Sequence, residues 1–188
     1  MSCLSDPYHS ASANLISQQI TQKMKKKVVY STYCWVMTSL VNAMLIGMIF
    51  YFSRHGDKWI SYLFLGCLCA LIAGVVFYAP ISVTAGNRAV RIKRMICSTA
   101  LPYSEIKSVW LCPPTMGEKR LFGSGGILGY WGWFSERDLG RYFAYYGKAS
   151  DCFLVTMSDG RKYMVGCEDA PQMADYINSV RGSLRNRP

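Results

Sequence analysis

The sequence predicts an α+β membrane protein: a two-helix transmembrane hairpin followed by an antiparallel β-sandwich or barrel that a C-terminal α-helix caps. Three observations predict it. Val28 to Phe52 and Trp59 to Asn87 are uncharged stretches, separated only by the polar segment SRHGDK at Ser53 to Lys58. From Ile81 onward the pattern changes from continuous apolar to alternating. The chain then closes on one amphipathic helical repeat.

The spans come first. A spanning helix needs roughly 20 mostly apolar residues at about 1.5 Å each. VVYSTYCWVMTSLVNAMLIGMIFYF reaches that length, and so does WISYLFLGCLCALIAGVVFYAPIS, whose apolar part fades near Ile81. Spans at about residues 28–52 and 59–80 follow. Helices of soluble proteins seldom run this long without a charge on any face. Lys23, Lys25, Lys26 and Lys27 precede the first span, and Arg88, Arg91, Lys93 and Arg94 follow the second. The connecting loop holds Arg54 and Lys58 with Asp57 beside them. Lysine and arginine near span ends favour the cytoplasmic side, so both termini are expected in the cytoplasm. The first span has too long an apolar core, and no small-residue cleavage site after it, for a cleaved signal peptide.

Within the spans, Ser39, Ala43 and Gly47 recur every four residues, as do Gly66, Ala70 and Gly74. Small residues at that spacing let helix backbones approach closely. The two stripes either pack against each other inside the hairpin or turn one face to a second protomer. Asn42 is expected to hydrogen-bond across a helix interface. The spans carry no ionisable pathway of the kind a transporter shows.

The segment before the first span, residues 1–22, is polar and serine-rich and reads as a mobile tail. Its last part, up to Lys27, reads as an extension of the first helix. The hairpin is then 23–80, a cytoplasmic domain 81–182, and a short tail 183–188. The net charge of +10 is spread over the tail, the loop and the domain. For a domain tethered at a membrane, anionic lipid headgroups are a nearer partner than nucleic acid, and no nucleic acid is expected. Lys25, Lys26, Lys27, Arg88, Arg91, Lys93 and Arg94 are the candidate lipid-surface residues. The eight cysteines include three inside the spans and form no C-x-x-C pair. They read as reduced thiols, with no metal and no cofactor expected.

In the domain, Ile81 and Val83 lead into a Gly86-Asn87 turn, and Val90 and Ile92 alternate with Arg91 and Lys93. EIKSVWLC gives a further strand. CFLVTMS and RKYMVG flank Asp159-Gly160, a hairpin signal. Asp169 with Gln172 starts the last helix, Met173, Tyr176, Ile177 and Val180 share its face, and Gly182 ends it. Between these lies FGSGGILGYWGWF, in which Gly123, Gly125, Gly126, Gly129 and Gly132 interleave with aromatic rings. It is neither a P-loop nor a complete G-x-G-x-x-G. Its glycines either shape turns while the rings pack, or the segment presents Tyr130, Trp131, Trp133 and Phe134 to a bilayer interface or a protein partner.

The ALPYSEIKSV segment, the glycine-aromatic segment, LGRYFAYYGKASDCFLVTMSDGRKYMVG and DAPQMADYINSV together resemble the bacterial pleckstrin-homology-like (PH-like) domain family, from about Ile81 to Val180. The resemblance implies a bent antiparallel sandwich capped by a helix, in a chain of the bacterial inner membrane. PH-like folds host lipid binding, protein binding and oligomerisation. No catalytic constellation accompanies it: the histidines, His9 and His55, fall outside the domain and the carboxylates are dispersed. The sequence therefore points away from an enzyme. It points to a membrane-anchored interaction or scaffolding module that recruits a protein partner or a second copy of itself. The alternatives are a specific anionic-lipid sensor and an accessory subunit of a transporter or membrane enzyme.

Overall fold

The computed structural model describes residues 23–56, 58–115 and 117–185. The tail expected over residues 1–22, His9, Asp57 and the last three residues lie outside the described residues.

Two helices, α1 (Thr32–Arg54) and α2 (Lys58–Tyr78), stand where the spans were expected. Both are long and apolar enough to cross a membrane, and most of their surface is uncovered. Helix α1 begins later than the apolar stretch because the residues before it are bound elsewhere. The Val28 amide donates to Ile81 O at 2.9 Å and the Ser31 amide to Gly147 O at 3.1 Å. Ser31 then caps the helix, its hydroxyl accepting from the Cys34 amide at 3.3 Å.

The remainder forms two sheets and one helix. Strands β1 (Met24–Lys27), β2 (Pro80–Ala85), β3 (Ala89–Arg94) and β4 (Ser98–Pro102) make a four-stranded antiparallel sheet in that order. The first strand precedes the helices and the second follows them, so the helical pair is an insertion between neighbouring strands. This corrects the expectation that Met24–Lys27 continues the first helix. Its alternation matches the pleat: Met24 and Lys26 are half-buried, Lys25 and Lys27 exposed. On the outer edge of β1, Lys27 O accepts from the Glu168 amide at 2.9 Å and Lys26 Nζ meets Asp169 Oδ2 at 2.7 Å.

The second sheet contains β5 (Ile106–Leu111), β6 (Lys119–Gly126), β7 (Gly129–Glu136), β8 (Gly140–Tyr146), β9 (Cys152–Met157) and β10 (Lys162–Gly166). They lie side by side as β5-β9-β10-β8-β7-β6, and neither sheet closes on itself. The sheet is not wholly antiparallel, as the sequence suggested. The β9–β10 hairpin inserts its second strand between β9 and β8, so β8 and β10 run parallel.

Helix α3 (Ala170–Arg185) covers the space between the sheets. Its start differs from the expected capping box: Asp169 has φ +50° and its carboxylate faces Lys26. Its end differs too, since Gly182 sits inside the last turn and the helix continues to Arg185. Side chains of α3 occupy the open edge of β5, with Asn178 donating to Val109 O at 3.0 Å and Arg181 to Lys107 O at 2.6 Å.

The main core lies between the sheets and α3, with Val83, Ile92, Phe153, Val155, Met173 and Ile177 fully enclosed. A second cluster, around Tyr142, Tyr146, Leu154 and Met164, fills the opposite face of the six-stranded sheet. CFLV is continuously apolar because Phe153 and Val155 point into one cluster while Cys152 and Leu154 point into the other.

Two predictions follow from this packing. Ile177→Ala leaves a cavity in the enclosed core and costs about 2–5 kcal/mol, read as a lower unfolding midpoint of the full chain in detergent. A chain beginning at Pro80 lacks β1 and leaves the β2 edge open. It should aggregate or melt well below a variant in which a short linker replaces the helices and β1 is kept; equal melting would show that β1 contributes nothing.

Candidate functional site

The pole of the domain nearest the helices gathers most of the residues singled out by sequence. Strands β6 and β7 form a hairpin whose two-residue tip, Ile127-Leu128, reaches along α1. The Leu128 amide donates to Thr38 Oγ1 at 2.9 Å, while Thr38 itself donates to Cys34 O at 2.6 Å. Leu128 has φ +45°, a left-handed conformation that a branched apolar residue seldom adopts without outside support. Ser124 closes the turn from within, accepting from the Ile127 amide at 3.0 Å and donating to Ile127 O at 2.9 Å.

The other helix is met by Trp131. Its ring stacks on Tyr78 at 5.5 Å between centroids and 10° between planes, and its edge reaches the position a Cβ would occupy at Gly74 to 3.2 Å. Tyr30 donates to Pro80 O, which ties the approach to α1 to the exit from α2. The glycine-aromatic segment is therefore a pair of strands docked on the bases of both helices, and Gly125, Tyr130 and Phe134 line an open pocket of about 600 Å³ together with Glu118 and Tyr146. Glycine is needed where backbones crowd. At Gly132 (φ +123°) a Cβ would run into Phe122 O and Gly123 on the paired strand, and at Gly129 (φ +95°) into Tyr146 O and the Tyr30 ring. Gly123 and Gly126 share positive φ, whereas Gly125 lies beneath the Arg120 side chain.

Of the candidate contact rings, Phe134 is buried, and Tyr130 and Trp131 are half-buried. Trp133 is exposed and Phe122 more so, at 73%. Phe122 was noted in sequence only as part of the segment.

The basic candidates separate by their place in the fold. Lys25 with Arg91, and Lys27 with Lys93, sit in register on the outer face of the four-stranded sheet. Lys26 points the other way and is taken up by Asp169. Arg88 lies in the β2–β3 turn, at the far end of β2 from α2. Arg94 is anchored beside the helices. Its guanidinium donates to Phe77 O at 3.3 Å and to Thr99 Oγ1 at 3.0 Å, and lies 5.7 Å from the Tyr145 ring centre. The turn that follows it, Met95-Ile96-Cys97, is exposed, with Met95 at 61% and Ile96 at 65%. A shallow pocket of about 300 Å³ runs from Lys23 and Lys25 past Arg91 and Lys93 to this turn. Met95 and Ile96 were not singled out by sequence; an apolar pair directly after a basic strand was the available signal.

The small-residue stripes do not form the contact between α1 and α2. Ser39, Ala43, Gly47, Gly66 and Ala70 are exposed, with open space around both glycines; only Gly74 is covered, by Trp131. The helices meet instead through Ser53 and Ser61, whose hydroxyls lie 2.8 Å apart, and through stacked Phe52 and Phe64. Asn42 donates to Thr38 O within its own helix at 2.7 Å and does not bridge to a neighbour.

A partly buried polar cluster went unseen in the sequence because the Thr115–Glu118 segment, Glu136 and Tyr146 are separated in the chain. Tyr146 donates to both Glu118 oxygens, at 3.1 and 2.8 Å, and Thr115 donates to buried Glu136. Burial pushes the Glu118 carboxyl above its ordinary value. Tyr146 and Tyr142 pull it back part way, and Glu136 adds to the rise. No group of side chains suited to hold a metal ion occurs among the described residues.

Two sheets, a helix filling the space between them and an inserted pair of apolar helices define an α+β module. A family model described as bacterial PH domain matches residues 81–181, more than half of the chain, and the chain belongs to that family. It matches no curated protein and no solved structure. Family membership supports a general interaction or scaffolding module.

Two further outcomes are expected. Thr38→Val leaves the Leu128 amide without its acceptor and lowers stability by about 1–3 kcal/mol, visible in detergent unfolding; Ser39→Ala, one residue on and exposed, leaves the midpoint unchanged. For Glu118, a folded pKa above the unfolded value of about 4.3 means that the folded state holds its proton more tightly. This contribution is greatest below the unfolded value and is lost as pH rises through the folded one. Glu118→Gln removes that loss, so unfolding midpoints fall less between acid and neutral pH than in the parent; identical slopes would exclude Glu118 as the source.

Proposed function

We propose that the chain is a membrane-anchored interaction module of the bacterial inner membrane. The two helices cross the bilayer, both ends of the chain lie in the cytoplasm, and the PH-like domain is held against the inner leaflet. The outer face carrying Lys25, Lys27, Arg91 and Lys93 rests on anionic headgroups, and the remaining surface recruits a protein partner or a second copy.

The observation that carries this reading is the position of the β3–β4 turn. Pro80, two residues after the end of α2, pairs with Arg94, so exposed Met95 and Ile96 stand level with the end of a helix suited to a membrane. An apolar pair flanked by Lys93 and Arg94 suits the boundary between headgroups and acyl chains, where basic groups meet anionic lipid and apolar ones leave water. Fixing the domain at that height raises the effective concentration of any weak binding face it presents. A second reading, a specific anionic-lipid sensor, draws on the shallow pocket between Lys25, Arg91 and Lys93. Discrimination among anionic headgroups of equal charge would favour it.

The test is an environment-sensitive fluorophore on a cysteine introduced at Met95, with the other exposed cysteines replaced by serine. The full chain is reconstituted in nanodiscs of phosphatidylglycerol or of phosphatidylcholine. The reading expects blue-shifted emission in the anionic discs that Lys93→Glu with Arg91→Glu reverses. Emission of a water-exposed dye in both lipids would overturn it.

A further inference from the structure

The pole opposite the helices carries a cleft that none of the preceding readings uses. It has a volume of about 750 Å³ and lies where the β2–β3 turn, the segment leading into β5 and the last turn of α3 converge. Strand β2 runs away from α2 for six residues, so the turn at its end is roughly 17–20 Å from the helix ends at about 3.3 Å per residue.

Four cations line it: Arg88 from the turn, Lys107 from β5, and Arg181 and Arg185 from α3; no carboxylate does. Arg181 is already engaged on Lys107 O, and cations suit a helix C-terminus in any case. Arg88 and Lys107 come from other elements, and neither they nor Arg185 form an ion pair among the described residues. The wall between the charges is apolar, formed by Pro102, Ile106 and half-exposed Leu184. At its base lies Tyr103, only 3% exposed, whose hydroxyl has no hydrogen-bond partner. Burial, with Tyr176 nearby, pushes the Tyr103 pKa up, so the hydroxyl keeps its proton and remains a donor. A buried donor without an acceptor is costly, and a carboxylate that reached it would remove that cost.

We infer that this cleft docks an acidic segment of a partner protein, with carboxylates on Arg88, Lys107 and Arg185, one oxygen reaching Tyr103, and an apolar side chain against Ile106 and Leu184. This rests on the proposed interaction module and gives its partner a chemistry. The apolar wall and the absence of an exposed aromatic ring for base stacking favour a peptide over single-stranded nucleic acid. Strand addition to β5 is not the mode, because Asn178 and Arg181 already occupy its edge carbonyls.

The experiment uses the full chain in neutral detergent and a short fluorescein-labelled peptide rich in glutamate and leucine, followed by anisotropy. Saturable binding is expected. Arg88→Glu with Arg185→Glu should weaken it on the order of tenfold or more, and Tyr103→Phe, which keeps the ring and its packing, about fivefold. Arg91→Glu with Lys93→Glu, on the outer sheet face, should leave it unchanged. Equal weakening by the outer-face pair would reduce the effect to diffuse charge and overturn the proposal. So would displacement by an oligouridine at lower concentration than by unlabelled peptide, or no saturable binding by the folded parent chain. The dye at position 95 reports the membrane reading independently. Failure in the cleft leaves that reading standing, and a water-exposed turn with saturable peptide binding leaves the cleft standing.

Discussion

The pairing of β1 with β2 is the constraint on which the rest of the structure depends. The two strands are separated in sequence by the whole helical pair, yet Met24 to Lys27 run in register with Ala85 to Ser82. The chain therefore enters and leaves the helical pair from strands about one strand spacing apart, roughly 4.8 Å. The domain is thus fastened to the helical pair at two points, which restricts rotation about either connection. Tyr30 on Pro80 and Ser31 on Gly147 reinforce the same corner. A single linker would let the domain swing. This arrangement fixes which surfaces face the helix ends and which face away, and both functional proposals depend on that difference.

The β6–β7 hairpin is the second fastening, and it shows why the glycine-aromatic segment has its composition. A strand pair that lies against two helix bases needs rings long enough to reach them and a backbone thin enough to approach. Trp131 on Tyr78 supplies the first, and Gly129 beside the Tyr30 ring supplies the second. The Leu128 conformation is supported from outside by Thr38, so the hairpin tip and α1 depend on each other. The polar residues near the start of α1, Cys34 and Thr38, are buried for this reason; they serve the domain and not a path through the helices.

Much of this was legible in the sequence where one periodicity dominated. The two long apolar helices, the alternating Val90-Arg91-Ile92-Lys93 strand, the Asp159-Gly160 hairpin and the inward face of α3 all follow from residue type and spacing. Features that depend on distant partners were not legible. MKKK as a strand has no apolar alternation of its own, and its partner lies beyond two helices. Asp169 looked like a cap until Lys26, far away in sequence, was brought to its carboxylate. The parallel β8–β10 pair depends on where a hairpin inserts, which no local pattern records. Of the candidate site, the outer basic face was foreseen in part. The Met95-Ile96 turn, the Glu118 cluster and the cleft at Tyr103 are assembled by the fold.

The charges before the helices show one set of residues meeting several demands at once. If the helices cross a bilayer as proposed, Lys25, Lys26 and Lys27 orient the first span by their number alone, whatever their direction. The pleat then gives them different tasks. Lys25 and Lys27 face outward beside Arg91 and Lys93, where anionic lipid would meet them, while Lys26 faces inward and binds Asp169. Orientation depends on total charge, lipid contact on the outward pair, and closure of the corner between the sheets on the inward residue. Exchanging Lys26 with an apolar neighbour would therefore preserve the first two and disturb only the third. Charge near a helix end is usually assigned to topology as a block; in a strand, its parity decides what each residue does.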